Sequence, residues 1–443
     1  MIVALLVVLT GLLLWHFAGY PLVMGWLALR TDPRLAADVE AEDETGTPAD
    51  SGADEADGDA GAFVSVIVAT YEEAGAIGAR IDNLAAQTYP KDRFEVLVVD
   101  SGSTDGTVEA AREAAAAHPD LSVRVVEQAS REGKASAVNA GIDAARGDVV
   151  LVTDANTEFV PEVLASVAPH FADPDVGAVA GRLRLPETTN DITASNQFYR
   201  DLEHMKALGE SRLDSAVQFD GELSAWRKGL ARAEPSSLAE DLELSVRIRR
   251  QGYRIAYEPR AVALEGEPDN SREQVASNKR RAVGTIQTMV GHARWLAVPG
   301  DAYRAVAFPS RKALPMLSPF LLLGILATYL VSRDPRLVAK HVLASGATGA
   351  VTLAALLHVR ERVVGAEESH ATGAGADEEG ERGRGDENDE GGTLRSLPGL
   401  VFYVLLAEYF VLRAWLDYLA GDYSVLWEKS ASDRSAAPAQ DAD

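Results

Sequence analysis

Cysteine is absent from the 443-residue sequence, so disulfides, thiolate metal ligands and a cysteine nucleophile are excluded. Lysine is scarce, with 8 residues against 34 arginines, and the 42 basic residues face 67 acidic ones, which gives a net charge of −25. Because phosphate attraction needs a basic face, this balance disfavours a nucleic-acid partner. Scarce lysine and strong acidity favour a high-salt habitat, a hypothesis that unchanged activity in low salt would contradict.

Large apolar side chains are nearly absent from two acidic tracts. Residues 36–62 carry ten acidic side chains and no basic one, and residues 363–394 carry ten acidic side chains and two arginines. Segments of this composition bury too little apolar surface to offset the entropy of ordering. We therefore predict an acidic disordered linker over 36–62 and an acidic disordered loop over 363–394.

Charged residues are missing from long apolar stretches near both ends of the sequence. Residues 1–29 contain none, and a run of that length can cross about 30 Å of hydrocarbon as a helix. A cleaved signal peptide is the alternative, but this run lacks a basic start and is longer than the apolar region of such peptides. Residues 313–332 are likewise uncharged and predict a second transmembrane helix. Further transmembrane helices are predicted over 338–359, which is uncharged from 341 onward, and over 396–420, which is interrupted by Glu408, Arg413 and Asp417.

Basic residues beside the four predicted spans, among them Arg30, Arg304 and Arg360, lie mainly on one side of the membrane. The positive-inside rule then predicts a multi-pass protein of the cell membrane whose large middle segment is cytoplasmic. We expect an interfacial segment over 291–312 and a polar tail over 421–443. A transporter is disfavoured because the strong spans contain no charge cluster.

The middle segment, residues 63–290, alternates apolar runs with helical patterns. Val64–Ala69, Phe94–Val99, Val123–Val126 and Val149–Val152 predict strands. Strand–helix–strand units of this size imply a mainly parallel sheet with right-handed crossovers, in which ligands gather at the carboxyl ends of the strands. The sequence thus predicts an α/β domain whose site lies at those ends.

Polar residues follow the first two predicted strands. Thr70, Tyr71 and Glu72 end the first, and Asp100 ends the second before a Ser/Gly turn. A carboxylate beside such a turn can accept hydrogen bonds from a ribose or a base, and it can equally cap the turn. The sequence has no G-x-G-x-x-G motif, so a dinucleotide-binding fold is disfavoured.

Lys134 follows Gly133 at a predicted helix start, where it can reach a phosphate or lie exposed on the surface. Asp154 and Asn156 follow the fourth strand. One carboxylate and one amide oxygen can hold a hard divalent cation that shares phosphate oxygens, although D-x-N is also common in turns.

Two adjacent carboxylates, Glu240 and Asp241, open another helical stretch. They can satisfy the positive end of that helix, or one of them can act as a general base. The residues themselves leave both roles open.

Taken together, these motifs resemble those of family 2 glycosyltransferases with the GT-A fold. The resemblance runs from about Val64 to Gln287, and its motifs stand in the family's order: Thr70–Tyr71–Glu72, Asp100, Gly133–Lys134 with Asn139, Asp154, Gly221–Ala225–Arg227, Glu240–Asp241 and Gly252–Tyr253. The predicted membrane helices are similar to those of members that make polysaccharides or glycolipids.

The resemblance implies inverting transfer of a sugar from a nucleotide-sugar donor to a lipid-linked or surface-glycan acceptor. Asp241 would remove the acceptor proton, with Glu240 beside it, and Mg²⁺ or Mn²⁺ would bind at Asp154 and Asn156. The other implied site residues are, for the nucleotide, Thr70, Tyr71, Glu72, Asp100 and Lys134; for the donor or acceptor pocket, Asp220, Gly221, Glu222 and Arg227; and for the diphosphate, Arg280 and Arg281.

The sequence departs from the family pattern at the expected second aspartate, which is Ser101, and at the second metal carboxylate, which is Asn156. The Gln-x-x-Arg-Trp signature of processive synthases is replaced by residues Asn278–Gly284. Two alternatives therefore stay open: a processive polysaccharide synthase, and a catalytically silent membrane subunit that binds nucleotide sugar. A silent subunit would bind the donor without releasing nucleoside diphosphate.

Overall fold

The computed structural model describes residues 1–31, 61–185, 191–264, 271–372 and 397–423. These residues form two compact units, one within Met1–Thr45 and Lys312–Asp422 and the other, to which Tyr423 also belongs, within Gly46–Arg311. Most of the predicted linker, loop and tail falls outside the described residues. Residues 363–372, predicted as the start of the loop, instead continue a helix that ends at Thr372, because glycines become dense only from Gly373 onward.

An eight-stranded sheet forms the core of the second unit. Its strands are β1 (Val64–Thr70), β2 (Phe94–Asp100), β3 (Ser122–Glu127), β4 (Val149–Asp154), β5 (Glu158–Phe159), β6 (Val176–Arg184), β7 (Ser224–Arg227) and β8 (Arg254–Leu264). Their spatial order is β3-β2-β1-β4-β7-β6-β8-β5, and β1 to β4 run parallel. The predicted α/β class with a mainly parallel sheet is confirmed.

The described helices come before, between and after the strands in the sequence. They are α1 (Ile2–Leu14), α2 (Tyr20–Thr31), α3 (Ile77–Ala85), α4 (Thr107–Ala117), α5 (Lys134–Ala144), α6 (Val163–Val167), α7 (Asp191–Leu213), α8 (Glu240–Arg250), α9 (Ser271–Gly291), α10 (Ala293–Leu296), α11 (Leu314–Ser332), α12 (Pro335–Thr372) and α13 (Leu397–Ala420). Short π-helical turns join α1 to α2 and precede α11.

β1 and β2 are buried along almost their whole length, as expected for parallel strands with both faces covered. α3 presents Ile77, Ile81 and Leu84 at helical spacing to the core that contains Val66. The apolar runs are therefore buried in the core, and the polar residue at the end of each strand lies at the edge of the sheet.

β7 reverses direction beside β4. Ser224 pairs with Val152, and Arg227 pairs with Val149, in an antiparallel register. β7 therefore starts at the edge where β4 ends and finishes at the opposite edge. The residues just before β7 consequently lie at the edge of the sheet where β1, β2 and β4 end, with Thr70, Asp100 and Asp154. This edge is called the strand-end edge.

Three helical stretches are long and apolar enough to cross a membrane: Ile2–Arg30, Tyr303–Ser332 and Pro335–Gly365. α13 occupies the fourth region, 396–420, for which the sequence predicts a span. Within the first unit, the Ser318 hydroxyl lies 2.7 Å from a carboxyl oxygen of Glu408, and both side chains are buried. Polar contacts of this kind hold apolar helices together.

Candidate active site

The parallel strands bring the predicted strand-end residues to one edge of the sheet. Thr70 stands opposite Asp100 in the register of β1 and β2, and Ala69 stands opposite Asp154 in the register of β1 and β4. Residues that are far apart in the sequence are therefore neighbours at this edge, which is where ligands bind in open α/β sheets.

Asp100 is buried, with 3% of its surface exposed, and shapes the turn that follows β2. Its carboxylate accepts hydrogen bonds from the amides of Gly102 (3.0 Å) and Ser103 (2.9 Å) and from the Ser103 hydroxyl. The Thr70 hydroxyl approaches the same carboxylate to 3.5 Å. These contacts support the turn-capping interpretation, and a nucleoside contact by Asp100 stays a prediction.

Glu72 connects the loops after β1 and β2. Its Oε1 accepts hydrogen bonds from the Thr104 amide and hydroxyl, each at 3.0 Å, and its own amide donates to the Ser103 hydroxyl at 2.8 Å. This network holds Glu72 at a φ of 58°, which is uncommon for a residue with a side chain. Beside it, the Arg131 guanidinium lies 4.2 Å from the centre of the Tyr71 ring, which joins the loop after β3 to the same edge.

Ser101, which replaces the family's second aspartate, contacts the loop before α5. Its hydroxyl accepts a hydrogen bond from the Glu132 amide at 3.0 Å. Gly102 has a φ of +75°, and a Cβ there would lie 2.8 Å from the Ser130 carbonyl carbon. The two loops are therefore in close contact, and the serine joins them without adding a negative charge.

Lys134 and Asp154 form the central ion pair of the edge. The Lys134 ammonium lies 2.6 Å from Oδ1 of Asp154, and the two side chains are 33% and 29% exposed. Burial alone would lower the pKa of Lys134, but the negative charges of Asp154, Glu240 and Glu222 outweigh it and raise the pKa above its ordinary value. Three acidic groups from three separate chain segments thus act on one ammonium group.

Arg80 is a second cation close to Asp154, and no motif in the sequence predicts its place at the site. It is 1% exposed, stacks over the Phe159 ring at 4.0 Å and donates to the Thr153 hydroxyl at 2.8 Å. Burial lowers the pKa of Arg80 to about 9, and the charge of Asp154 opposes that shift. The available signal was an arginine on the otherwise apolar face of α3.

Asp220, Gly221 and Glu222 precede β7 and lie at the strand-end edge. Burial, followed by the charge of Glu222, raises the pKa of Asp220 against opposing arginine charges. A Cβ on Gly221 would stand 3.5 Å from the Lys134 ammonium, an ordinary contact distance. The structure therefore brings these three residues together with Lys134.

Arg227 lies away from this group. Its guanidinium donates to the backbone carbonyls of Val176, Phe171 and Asp173, each at 2.9 Å. The physical reason is the antiparallel direction of β7, which carries Arg227 to the opposite edge of the sheet. The contacts of Arg227 stabilise the segment before β6.

Glu240 and Asp241 are the first two residues of α8, and both are partly exposed. The N-cap is Ala239, which makes no side-chain capping hydrogen bond. Neither carboxylate is therefore the N-cap, although both lie in the first turn, where the helix dipole favours negative charge. A general-base role for Asp241 stays a prediction.

α9 packs against the residues that precede Glu240. The Gln287 side-chain oxygen accepts a hydrogen bond from the Leu238 amide at 3.1 Å, and Arg280 lies 4.0 Å from the Glu240 carboxylate. Arg281 is near enough for its charge to oppose the raised pKa of Asp220. The segment that replaces the Gln-x-x-Arg-Trp signature thus places two cations near the strand-end edge.

A divalent cation would find one carboxylate, Asp154, and the exposed amide of Asn156 after β4. Among the described residues, no group of three or more His, Cys, Asp or Glu side chains could hold a metal. The ammonium of Lys134 against Asp154 shows that this position attracts a cation. The donor set therefore fits a metal whose remaining ligands are phosphate oxygens and water.

Two family models match the chain: Glycosyl transferase family 2 over residues 65–226, and Glycosyl transferase family group 2 over residues 149–359. The chain is 28% identical over 214 residues to the probable glycosyltransferase YdaM of Bacillus subtilis, covering 46% of this chain and 51% of that protein. It is 40% identical over 92 residues to glycosyltransferase AglE of Haloferax volcanii, covering 21% and 30%. The chain thus spans about half, or less, of the length of these relatives.

A solved structure is also similar. It is the mannosyltransferase PcManGT from Pyrobaculum calidifontis in complex with GDP-Man and Mn²⁺, at 28% identity and a TM-score of 0.58, covering 84% of this chain and 99% of that one. The sheet, the strand-end site and these matches define a glycosyltransferase of the GT-A fold. Residues 65–359, which the two models match together, belong to glycosyltransferase family 2.

Proposed function

We propose that the protein is a membrane-bound inverting glycosyltransferase that moves a sugar from a nucleotide-sugar donor to a lipid-linked or surface-glycan acceptor. The observation that carries the proposal is the convergence of Asp154, Glu222 and Glu240 on Lys134 at the ends of the parallel strands. A cluster of one ammonium group and three carboxylates suits a substrate that carries a diphosphate and reacts at the bond next to it.

In the proposed reaction, Asp241 takes the proton of the acceptor hydroxyl while that oxygen attacks the anomeric carbon of the donor sugar. The new carbon–oxygen bond forms as the bond to the diphosphate oxygen breaks, and the electron pair leaves with the nucleoside diphosphate. Attack from the face opposite the leaving group inverts the anomeric centre. Lys134, Arg280 and Arg281 supply positive charge to the leaving group.

A divalent metal, Mg²⁺ or Mn²⁺, bound by Asp154 and Asn156 would neutralise charge that develops on the diphosphate. The similar structure of PcManGT in complex with GDP-Man and Mn²⁺ supports this assignment. Four residues are proposed to hold the nucleoside: Thr70 at the end of β1, Tyr71 and Glu72 in the loop that follows, and Asp100 at the end of β2.

The apolar helices support a membrane location, with the strand-end site on the cytoplasmic side where nucleotide sugars are present. Asp220, Gly221 and Glu222 are proposed to line the donor-sugar or acceptor pocket.

The test is release of nucleoside diphosphate by the purified full chain from a panel of nucleotide sugars that includes GDP-mannose, with membrane lipid extract as acceptor. We expect one donor to be consumed only when extract is present, and Asp241→Asn to stop the release. Donor binding without any release would contradict the proposal and favour the silent subunit, which the departures at Ser101 and Asn156 motivate. Repeated addition to one acceptor would favour a processive synthase.

A further inference from the structure

We propose that Lys134 is an exchangeable counter-ion, which occupies Asp154 until a nucleoside diphosphate and a divalent metal arrive together and thereby makes metal binding depend on the nucleotide. This inference rests on the proposed function, since it needs a phosphate-bearing donor at the strand-end edge. It gives Lys134 a role in the order of binding, beyond contact with a phosphate.

The Lys134 ammonium occupies the position beside the Asp154 carboxylate that a bound metal ion would need. It is 2.6 Å from Oδ1 of Asp154, within the distance of a charge-assisted hydrogen bond. The charges of Glu240 and Glu222 also act on it. A cation is therefore favoured at this position, and the chain itself supplies one.

Two cations, Arg80 and Lys134, lie close enough to Asp154 to interact with its charge, and their side chains differ in their freedom to move. Arg80 is 1% exposed and is held by the Thr153 hydroxyl and the Phe159 ring, so its charge is fixed. Lys134 is one-third exposed at the end of a long flexible stem. Only Lys134 can leave, and while both cations remain, a single carboxylate offers a metal ion little net attraction.

A diphosphate would change this balance because it brings negative charge of its own. Lys134 is the first residue of α5, an 11-residue helix whose N-terminus follows Gly133 at a φ of 88°. Phosphate is favoured near such a helix start and near an ammonium group. Lys134 would then pair with the diphosphate, and Asp154 would become available to the metal. Nucleotide and metal thus assist each other's binding.

The test measures Mn²⁺ binding to the purified full chain by electron paramagnetic resonance, with and without GDP, for the parent and for Lys134→Met. A neighbouring charge changes the affinity of a carboxylate for a proton by about 10- to 1,000-fold. We therefore expect Lys134→Met to bind Mn²⁺ alone at least about tenfold more tightly than the parent, and to bind GDP alone more weakly. A purely structural role would not move these two affinities in opposite directions.

The matched control is Lys91→Met, which breaks a 2.7 Å Lys–Asp pair, with Asp120, that lies away from the strand-end residues. It should bind Mn²⁺ and GDP as the parent does. Lys134→Gln is a second neutral variant in case Lys134→Met fails to fold. The exchange is overturned if either folded neutral variant binds Mn²⁺ alone no more tightly than the parent. Because no sugar transfer is measured, a failure of the donor screen is a separate result.

Discussion

Gly284 of α9 lies so close to Ala239 that a Cβ atom on the glycine would stand 2.6 Å from the Ala239 nitrogen. The same helix accepts a hydrogen bond from the Leu238 amide through Gln287. α9 therefore fixes the residue from which α8 begins, and with it the position of Asp241. The proposed base is thus positioned by a helix that the chain forms only after β8.

Gly284→Ala should slow sugar transfer and lower the melting temperature. The added methyl group forces α8 and α9 apart, and overpacking of this kind costs about 1–3 kcal/mol. Gly291→Ala is the matched control in the same helix, because no described atom lies within 4 Å of a Cβ added there. Parental turnover and melting of Gly284→Ala would show that the close packing has no influence on the site.

Asp241→Asn should transfer sugar at least a hundredfold more slowly, since general-base contributions are typically about 10²–10⁴-fold in rate. Its melting temperature and donor affinity should stay near the parental values, because Ala239, and not Asp241, is the N-cap. Glu240→Gln is the comparison variant and should be affected less. A folded Asp241→Asn protein with parental turnover would remove Asp241 from the chemistry.

Glu258 should make stability depend on pH in the acid range. Burial would raise its pKa, but hydrogen bonds from His170 and Arg260 outweigh burial and lower the pKa from 4.5 to about 2. A lowered pKa stabilises the fold fully above pH 4.5, and this stabilisation, on the order of 3 kcal/mol, is lost as the pH falls towards 2. Glu258→Gln should therefore melt at a lower temperature than the parent at pH 7, and its melting temperature should fall less than that of the parent as the pH is lowered.

The control for this pH series is Glu127→Gln, which breaks an exposed pair with Arg112. Exposed ion pairs contribute little to stability, so its melting curve should follow that of the parent at each pH. Equal acid sensitivity of Glu258→Gln and the parent would exclude Glu258 as the group responsible.

Protease added outside intact cells should leave residues 36–62 and 363–394 uncut, because the arginines beside the predicted spans predict a cytoplasmic location for both tracts. The same protease added to opened cells should cut them. Cleavage of either tract from outside would reverse the proposed orientation.

The strand-end residues could be predicted because buried parallel strands are continuous apolar runs, and the first polar residue marks their end. The apolar runs predict β1 to β4 in this way, and these strands carry Thr70, Asp100 and Asp154 to one edge of the sheet. The resemblance then supplied Glu240 and Asp241, whose local sequence also fits an ordinary helix start.

The direction of a short strand and the pairing of distant side chains could not be predicted in the same way. The resemblance implies that Arg227 lines the donor or acceptor pocket, but the antiparallel direction of β7 carries it to the opposite edge of the sheet. A four-residue strand has no pattern that distinguishes parallel from antiparallel pairing. The pair of Lys134 and Asp154 depends on crossovers of the whole sheet, and Arg80 depends on which face of α3 is buried. These are tertiary properties, which local composition does not encode.

α12 contains 38 residues, a length of about 57 Å and almost twice the roughly 30 Å of membrane hydrocarbon. Its start is joined to the end of α11 by Arg333 and Asp334 alone, so an α12 that begins at the membrane surface projects its excess length from the other side, as a stalk. The end of this stalk would then stand beyond the Debye length of about 8 Å from the lipid headgroups, and the sequence over 373–394 that follows it carries eight acidic side chains and two arginines. The stalk would keep that charge away from an anionic leaflet.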